Sequence, residues 1–350
     1  MAIPNDTQSI TAEWMSEALS ASTGKCTVAS LRVERIGEDQ GWTGQVSRID
    51  IEYSDAPPEA PNSVVAKFSP RDTDGVFGVR EVNFYQEIAE GRGFAVPRCY
   101  HSASDQRTGD NITLLEDLSR LHTVDFVDGC SPAQAEAAVL ALAKIHARWW
   151  NDPTLESKDW LFSIADSAFA EWWAQYRSTV GRLLPQFELS LQLLEFGDRF
   201  ASDLPAMLER IEGAPFTCIH RDIHLDNLLF GSGSDDPKVV LVDWQTVGMG
   251  RGISDIAYLL ISSLSPADRR TNEHRLVGMY HDYLLSSGVE DYSLDQCWSD
   301  YLVSVASKLF ITVTATINFD NTSAHRRAWR TADLERLTAF FDDHDPISEL

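Results

Sequence analysis

The chain has 350 residues, 43% of them hydrophobic and 23% charged, a size that fits two lobes or domains sharing a cleft and a composition ordinary for a soluble globular protein, for which disorder is not the default reading. The net charge of −24 sets it against nucleic acid and anionic membrane surfaces. It also repels nucleotides at long range, but screening confines that to roughly 8 Å at physiological salt, so a phosphate site needs local cations and a metal.

Met1 to Asn5 lacks a basic region followed by an apolar run, and no stretch approaches ~20 uninterrupted apolar residues. Five cysteines (Cys26, Cys99, Cys130, Cys218, Cys297) are scattered without a Cys-x-x-Cys pair. The expectation is a reduced, cytoplasmic protein without a membrane span, a disulfide framework or a zinc site.

In chain order, Thr11 to Ala21 reads as a short amphipathic helix with Trp14, Met15 and Leu19 on one face. Strands are expected at Val28–Ile36, Val46–Tyr53 and Ser63–Phe68, the first two joined by a loop carrying Gly37, Gly41 and Gly44. A helix follows at Val79–Glu90, then strands at Arg98–Ser102 and Asn111–Glu116. Leu114-Leu115-Glu116-Asp117-Leu118 reads as a connector, which places one lobe at 1–117 and a second at 118–350. Beyond it the pattern turns helical. Ser131-Pro132-Ala133-Gln134 combines a capping serine, a first-turn proline and a capping-box glutamine. Helical patterns dominate from Trp160 to Arg210 and from Asp255 onwards. Between them, Leu228–Phe230 and Val239–Val242 flank a Gly/Ser/Asp turn and predict a β-hairpin.

Four features carry chemistry. His220-x-Asp222-x-x-x-x-Asn227 supplies a carboxylate to orient an acceptor hydroxyl and take its proton. It also supplies an amide oxygen of the hard kind that magnesium prefers. His220 reads as holding the loop. Asp243, at the end of the apolar run Val239–Val242, is a second metal-binding oxygen. Lys67 lies within the apolar strand Val64-Val65-Ala66-Lys67-Phe68 and is one of only six lysines. A buried ammonium there needs carboxylate or phosphate partners, and Glu81 on the next helix is the natural carboxylate. The Gly37–Gly44 loop offers backbone amides to phosphates, although its spacing is not G-x-G-x-x-G.

The order glycine loop, strand lysine, helix glutamate, His-x-Asp-x-x-x-x-Asn and strand-end aspartate resembles the protein-kinase-like fold. His220-Arg221-Asp222 matches the protein kinase loop. However, Trp244-Gln245 stand where protein kinases carry Phe-Gly, and no Ala-Pro-Glu segment follows. Ile219 to Leu229, Leu241-Val242-Asp243-Trp244-Gln245 and Ser254-Asp255-Ile256-Ala257 resemble the aminoglycoside phosphotransferase and choline kinase-like superfamily. Asp243-Trp244-Gln245 and Arg80-Glu81-Val82-Asn83-Phe84-Tyr85 are most similar to its ecdysteroid kinase-like branch.

That resemblance implies a bilobal α+β fold, with a small antiparallel sheet plus one helix in the N-lobe and a larger, mainly helical C-lobe. It implies ATP and Mg2+, with Asp222 as catalytic base, and Asn227 and Asp243 on the metal. Lys67 and Glu81 serve the phosphates, under a loop containing Gly41, Thr43 and Gly44. Glu116 and Leu118 line the adenine pocket, and Asp255 braces the loop with His220. The expected partner is a small-molecule hydroxyl compound: an aminoglycoside, amino alcohol, sugar, hydroxyacyl thioester or bulky apolar alcohol. The alternatives are a protein kinase and a non-catalytic nucleotide-binding regulatory module. The second is disfavoured because Lys67, Asp222, Asn227 and Asp243 are all present.

Overall fold

The computed structural model describes residues 2–36, 45–68, 76–105, 107–184, 189–233, 238–318 and 323–349. They form two units, Met1–Arg120 with Val242–Thr246, and Leu121–Leu241 with Val247–Leu350. The fold class is α+β.

The first unit is built on an antiparallel sheet of order β1-β2-β3-β5-β4. Its strands are β1 (Thr27–Ile36), β2 (Gln45–Asp55), β3 (Ser63–Phe68), β4 (Cys99–Asp105) and β5 (Asp110–Glu116). Helix α1 (Ala12–Thr23) buries Trp14, Met15, Ala18 and Leu19 in a core shared with Ile49, Ile51, Val64, Ala66, Phe68, Ile112 and Leu114. The Thr11 side chain caps that helix by accepting from the Trp14 N–H. Side chains alternate across a strand, so with Val64 and Ala66 committed to the α1 face, Lys67 is carried by the opposite face. Helix α2 (Val76–Asn83), the one helix implied for this lobe, supplies Glu81 there and continues as a π-helical turn over Phe84–Ala89. Lys67 pairs in register with Val46 on one side and Thr113 on the other. The lysine is therefore in mid-sheet, where it cannot swing out as on an edge strand.

Val242–Thr246, which the sequence division at 117 assigns to the second lobe, groups with this first unit. The reason is local: Asp243 pairs with Lys67, and the Trp244 ring stacks on Phe84 with centroids 3.9 Å apart.

At the end of β5, Asp117 accepts from Arg48 Nε at 2.7 Å, Ser63 Oγ at 2.6 Å and the Ser119 N–H at 3.0 Å. Burial pushes this carboxyl up, but the donors Ser63, Arg48 and Ser119 outweigh it and lower its pKa to about 2. A depressed carboxylate contributes stability above its unfolded pKa, and that contribution is lost as pH falls through the folded value. Asp117→Asn is therefore expected to destabilise the unit by about 1–2 kcal/mol at pH 7, after discounting for screening at half-exposed Arg48. Urea denaturation at pH 7 and at pH 2 checks this. The difference from wild type should shrink at the lower pH, and an equal difference at both would refute the assignment.

The second unit is mainly helical. Helix α3 (Pro132–Trp149) opens with the expected capping box: Ser131 Oγ accepts from the Gln134 N–H, and Gln134 Oε1 accepts from the Ser131 N–H. Helices α4 (Phe169–Leu183), α5 (Leu191–Ser202) and α6 (Leu204–Glu212) follow. Two short antiparallel ribbons come next. One is β6 (Thr217–Ile219) with β9 (Gly248–Gly250), and the other is the expected hairpin of β7 (Leu228–Phe230) and β8 (Val239–Leu241).

Helix α7 (Ile253–Ser263) is buried along its whole length, its polar Ser254, Asp255 and Ser262 satisfied by hydrogen bonds. Helices α8 (Pro266–Ser286), α9 (Leu294–Val303), α10 (Val305–Asn318) and α11 (Ala324–Asp343) complete the unit. Among the described residues, Leu294–Asn318 is the one stretch long and apolar enough to cross a membrane, with 78% of its apolar window buried inside the protein.

Candidate active site

In the first unit, Lys67 Nζ lies 3.0 Å from both Glu81 carboxylate oxygens and 2.7 Å from Asp243 Oδ1. Lys67 is only 9% exposed and Glu81 2%. Burial alone would pull the ammonium toward neutrality. Asp243 and Glu81 more than reverse that, so its pKa lies above the ordinary lysine value. The Trp244 N–H also donates to Glu81 Oε1 at 3.3 Å.

Asp243 has φ +66°, in the left-handed region that an aspartate enters at modest cost. The buried Phe84–Trp244 stack and the Lys67 pair hold it there. Glu116 commits its N–H to the Arg98 carbonyl at 2.8 Å, and Leu118 is buried. Gly41, Thr43 and Gly44 lie outside the described residues.

In the second unit, the loop after β6 is suspended from Asp255 in the first turn of α7. The His220 N–H donates to Asp255 Oδ2 at 2.6 Å and the Arg221 N–H to Oδ1 at 2.9 Å. His146 Nε2 lies 3.3 Å from the same carboxylate, and its Nδ1 lies 3.2 Å from Tyr280 Oη. Burial would raise the Asp255 pKa, but His146 and His220 hold it below the ordinary carboxylate value. His146 is thus a satisfied core histidine. Gly252 is needed for this close packing, because a Cβ there would meet Tyr280 Oη at 2.4 Å and His146 Nδ1 at 2.8 Å.

Arg221 takes φ +69°, a costly conformation for a long side chain. Its guanidinium is buried against Glu212 and donates to the Met249 carbonyl at 2.9 Å, with Phe162 stacked at 5.4 Å. The residue that matches the protein kinase loop is therefore a structural rivet of this unit.

That turn presents Asp222, whose side chain stays 30% exposed. Tyr258 Oη donates to Asp222 Oδ1 at 2.9 Å, and His224 Nε2 stands 3.6 Å from the same oxygen. Burial pushes the Asp222 carboxyl up. His224, His220 and Tyr258 together hold it well below the usual carboxylate range. His224 lies between Asp222 and Asp226, which overcome the effect of burial and raise its pKa to about 10. Asn227 Nδ2 donates to the Asp222 carbonyl at 2.8 Å, and its N–H donates to the His224 carbonyl at 2.9 Å. The amide orientation is fixed by the first of these bonds, so Oδ1 is the atom Asn227 can offer a ligand.

The donor chemistry suits magnesium. Asp243 offers a carboxylate and Asn227 an amide oxygen, both hard ligands. Magnesium usually takes only one or two protein oxygens, completing its shell with phosphates and water. Among the described residues there is no group of three or more His, Cys, Asp or Glu side chains able to hold a metal alone.

Sequence reasoning singled out Lys67, Glu81, Asp222, Asn227, Asp243 and Asp255 but missed Tyr258. A signal was available, because Tyr258 lies three residues after Asp255 and so projects from the same helix face.

Comparison with known proteins bears on the family and the fold. Residues 58–288 match the model of the APH family, described as a phosphotransferase enzyme family. A Cryptosporidium parvum Iowa II choline kinase shares the fold at 11% identity and TM-score 0.56, over 91% of this chain and 92% of its own. A Plasmodium vivax ethanolamine kinase does so at 13% and 0.53, over 89% and 82%. A spectinomycin phosphotransferase solved in complex with ADP and spectinomycin does so at 13% and 0.50, over 95% and 99%. The Arabidopsis thaliana "Probable acyl-CoA dehydrogenase IBR3" is 25% identical over 175 residues, half of this chain. The match spans only 18% of that protein's length.

Proposed function

Since the chain belongs to the phosphotransferase enzyme family, we propose that it is a small-molecule kinase that moves the γ-phosphoryl group of ATP to an alcohol hydroxyl. The observation that carries the proposal is the loop from Asp222 to Asn227. It offers an ionised, partly exposed carboxylate and a fixed amide oxygen within one hydrogen-bonded turn. The ADP held by the spectinomycin phosphotransferase supports a nucleotide as phosphoryl donor.

Asp222 orients the acceptor hydroxyl and takes its proton as the oxygen bonds to the γ-phosphorus. The bond from that phosphorus to the β–γ bridging oxygen breaks, and ADP leaves. Lys67, held charged, attends the nucleotide phosphates, while Glu81 keeps it in place when Asp243 turns to other partners. Asn227 and Asp243 would hold magnesium, which when bound neutralises phosphate charge. Asp255 acts through the backbone, fixing the turn that aims Asp222. Catalysis here is positioning and electrostatics.

For the acceptor, the likeness to a protein named as an acyl-CoA dehydrogenase favours a hydroxyacyl thioester over a sugar or aminoglycoside. The test is ADP release from Mg-ATP with hydroxyacyl-CoA thioesters, amino alcohols, sugars, aminoglycosides and a peptide array. Phosphate ester formation with a thioester supports the reading. Transfer to peptides alone would overturn it.

The metal assignment has its own check. Asp243→Ala should weaken binding of Mg-ATP by about 10-fold or more, the loss of one charged ligand being worth about 1.4 kcal/mol at least. Binding of metal-free ATP should change less. Calorimetry with and without magnesium reads both, and equal loss in the two would remove Asp243 from the metal.

A further inference from the structure

Helix α7 presents two polar groups to the loop that carries Asp222. Asp255 takes the loop's two N–H groups. Tyr258, three residues on, reaches the Asp222 side chain itself at 2.9 Å. The phenol bonds to Oδ1, and the imidazole of His224 stands over that same oxygen at 3.6 Å. Oδ1 is thus covered from two sides by protein, while the Asp222 side chain as a whole keeps its 30% exposure.

The tyrosine is itself held. Its ring lies under Lys308 Nζ, 4.8 Å from the ring centroid, and a cation on the ring face makes a phenol a better donor. Lys308 is pinned in turn by Thr312 at 2.9 Å and Asp333 at 2.5 Å. This buried chain of contacts, Asp333 to Lys308 to Tyr258 to Asp222, ends at the proposed base, and the function of its other members is otherwise unassigned.

We propose that Tyr258 is a positioning residue that commits Asp222 Oδ1 to the protein, so that Oδ2 is the oxygen that meets the acceptor hydroxyl. The assignment rests on Asp222 being the base, as proposed above. A carboxylate with two equivalent oxygens rotates about its Cβ–Cγ bond and samples many approaches to the acceptor. A carboxylate with one oxygen tied has a single lone-pair set to offer, in a fixed direction. The proton moves from the acceptor hydroxyl to Oδ2, and the Tyr258 O–H stays intact, because a phenol buried beside a carboxylate holds its proton far above neutral pH.

Tyr258→Phe removes the bond and keeps the ring under Lys308. Turnover is read as ADP release from Mg-ATP in water, with no added acceptor. The variant should lose about 10- to 100-fold in kcat, the worth of a hydrogen bond to a charged group, with KM for ATP within about twofold. Thermal unfolding controls for the fold.

The second measurement needs no activity. With 3-fluorotyrosine placed at position 258, the fluorine resonance should shift in the Asp222→Asn variant and stay put in Asp226→Asn. Wild-type kcat in Tyr258→Phe alongside an inactive Asp222→Asn would overturn the role of Tyr258 and leave the base in place. Wild-type kcat in Asp222→Asn would overturn the base assignment, and this inference with it. A fluorine resonance indifferent to Asp222→Asn would overturn the contact itself.

Discussion

Asp222→Asn should lower kcat about 100- to 10,000-fold, with ATP affinity unchanged within about twofold. The substitution keeps the size of the side chain and an oxygen able to accept from Tyr258, so the turn held by Asp255 and Asn227 has no reason to move. What it removes is the negative charge, and with it the capacity to take the acceptor's proton. In the wild type the His224 imidazole is held protonated beside Asp222 and Asp226, with a pKa raised to about 10, and so does not compete as a base at neutral pH. The substitution withdraws the Asp222 part of that influence and leaves the Asp226 part. The nucleotide phosphates are assigned to Lys67, in the other unit, and its ion pair with Glu81 does not involve Asp222. Single-turnover measurements with the identified acceptor read the first quantity and calorimetry the second. Turnover within tenfold of wild type would overturn the assignment of Asp222 as the base.

What could be read from sequence was what rests on local geometry. The capping box at Ser131 and Gln134, the hairpin between Leu228 and Leu241, and the turn from Asp222 to Asn227 are all made by residues a few positions apart. Periodicity sufficed for Trp14, Met15 and Leu19. The Lys67–Glu81 pair spans only 14 positions, and it was legible for a physical reason: an ammonium in an apolar strand requires a partner.

Contacts between distant parts of the chain were opaque. Tyr258 bonds to Asp222 across 36 positions and Lys308 to Asp333 across 25. Neither spacing has a periodicity of its own, and the one local hint to the first is that Tyr258 follows Asp255 by three residues on the same helix. The grouping of Val242–Thr246 with the first unit could not be foreseen either. It depends on Trp244 finding Phe84, and aromatic residues are common enough that no pair stands out. The ribbon of β6 and β9 escaped notice because Gly248-Met249-Gly250 has no strand signature. Its glycines serve another end: a Cβ at Gly248 would fall 2.3 Å from Arg221 Nε. The setting of Arg221 was opaque for a related reason. Its resemblance to the protein kinase loop is a matter of spelling, whereas its position is set by Glu212 and Met249.

Lys308→Met should cost the protein about 3–5 kcal/mol of stability, the range expected when one partner of a buried ion pair is removed. Lys308 and Asp333 are both fully buried. The carboxylate divides its oxygens between the ammonium and the Thr312 hydroxyl, which donates to Oδ2 at 2.8 Å. Burial pulls the Lys308 pKa below its ordinary value, and Asp333 opposes that pull. Without the lysine, the Asp333 charge keeps the Thr312 hydroxyl and the fields of Arg330 and Arg336, both close enough to interact with it. That residual compensation places the loss within the range and not above it.

The second arm of the experiment separates charge from packing. A Lys308→Met, Asp333→Leu double variant removes both charges and should recover most of the loss, since apolar replacement of a whole buried pair is often neutral. Urea denaturation followed by both fluorescence and circular dichroism gives the comparison, with coincident transitions required before a free energy is assigned. A single-variant loss below about 1 kcal/mol would mean that water or these two arginines already satisfy Asp333. A double variant as weak as the single would mean that the ammonium's contacts with the Tyr258 and Trp329 ring faces matter more than its balance with Asp333. Recovery of stability without recovery of kcat would separate two demands on one side chain: the fold needs only that the pair be balanced, while Tyr258 needs the cation above its ring.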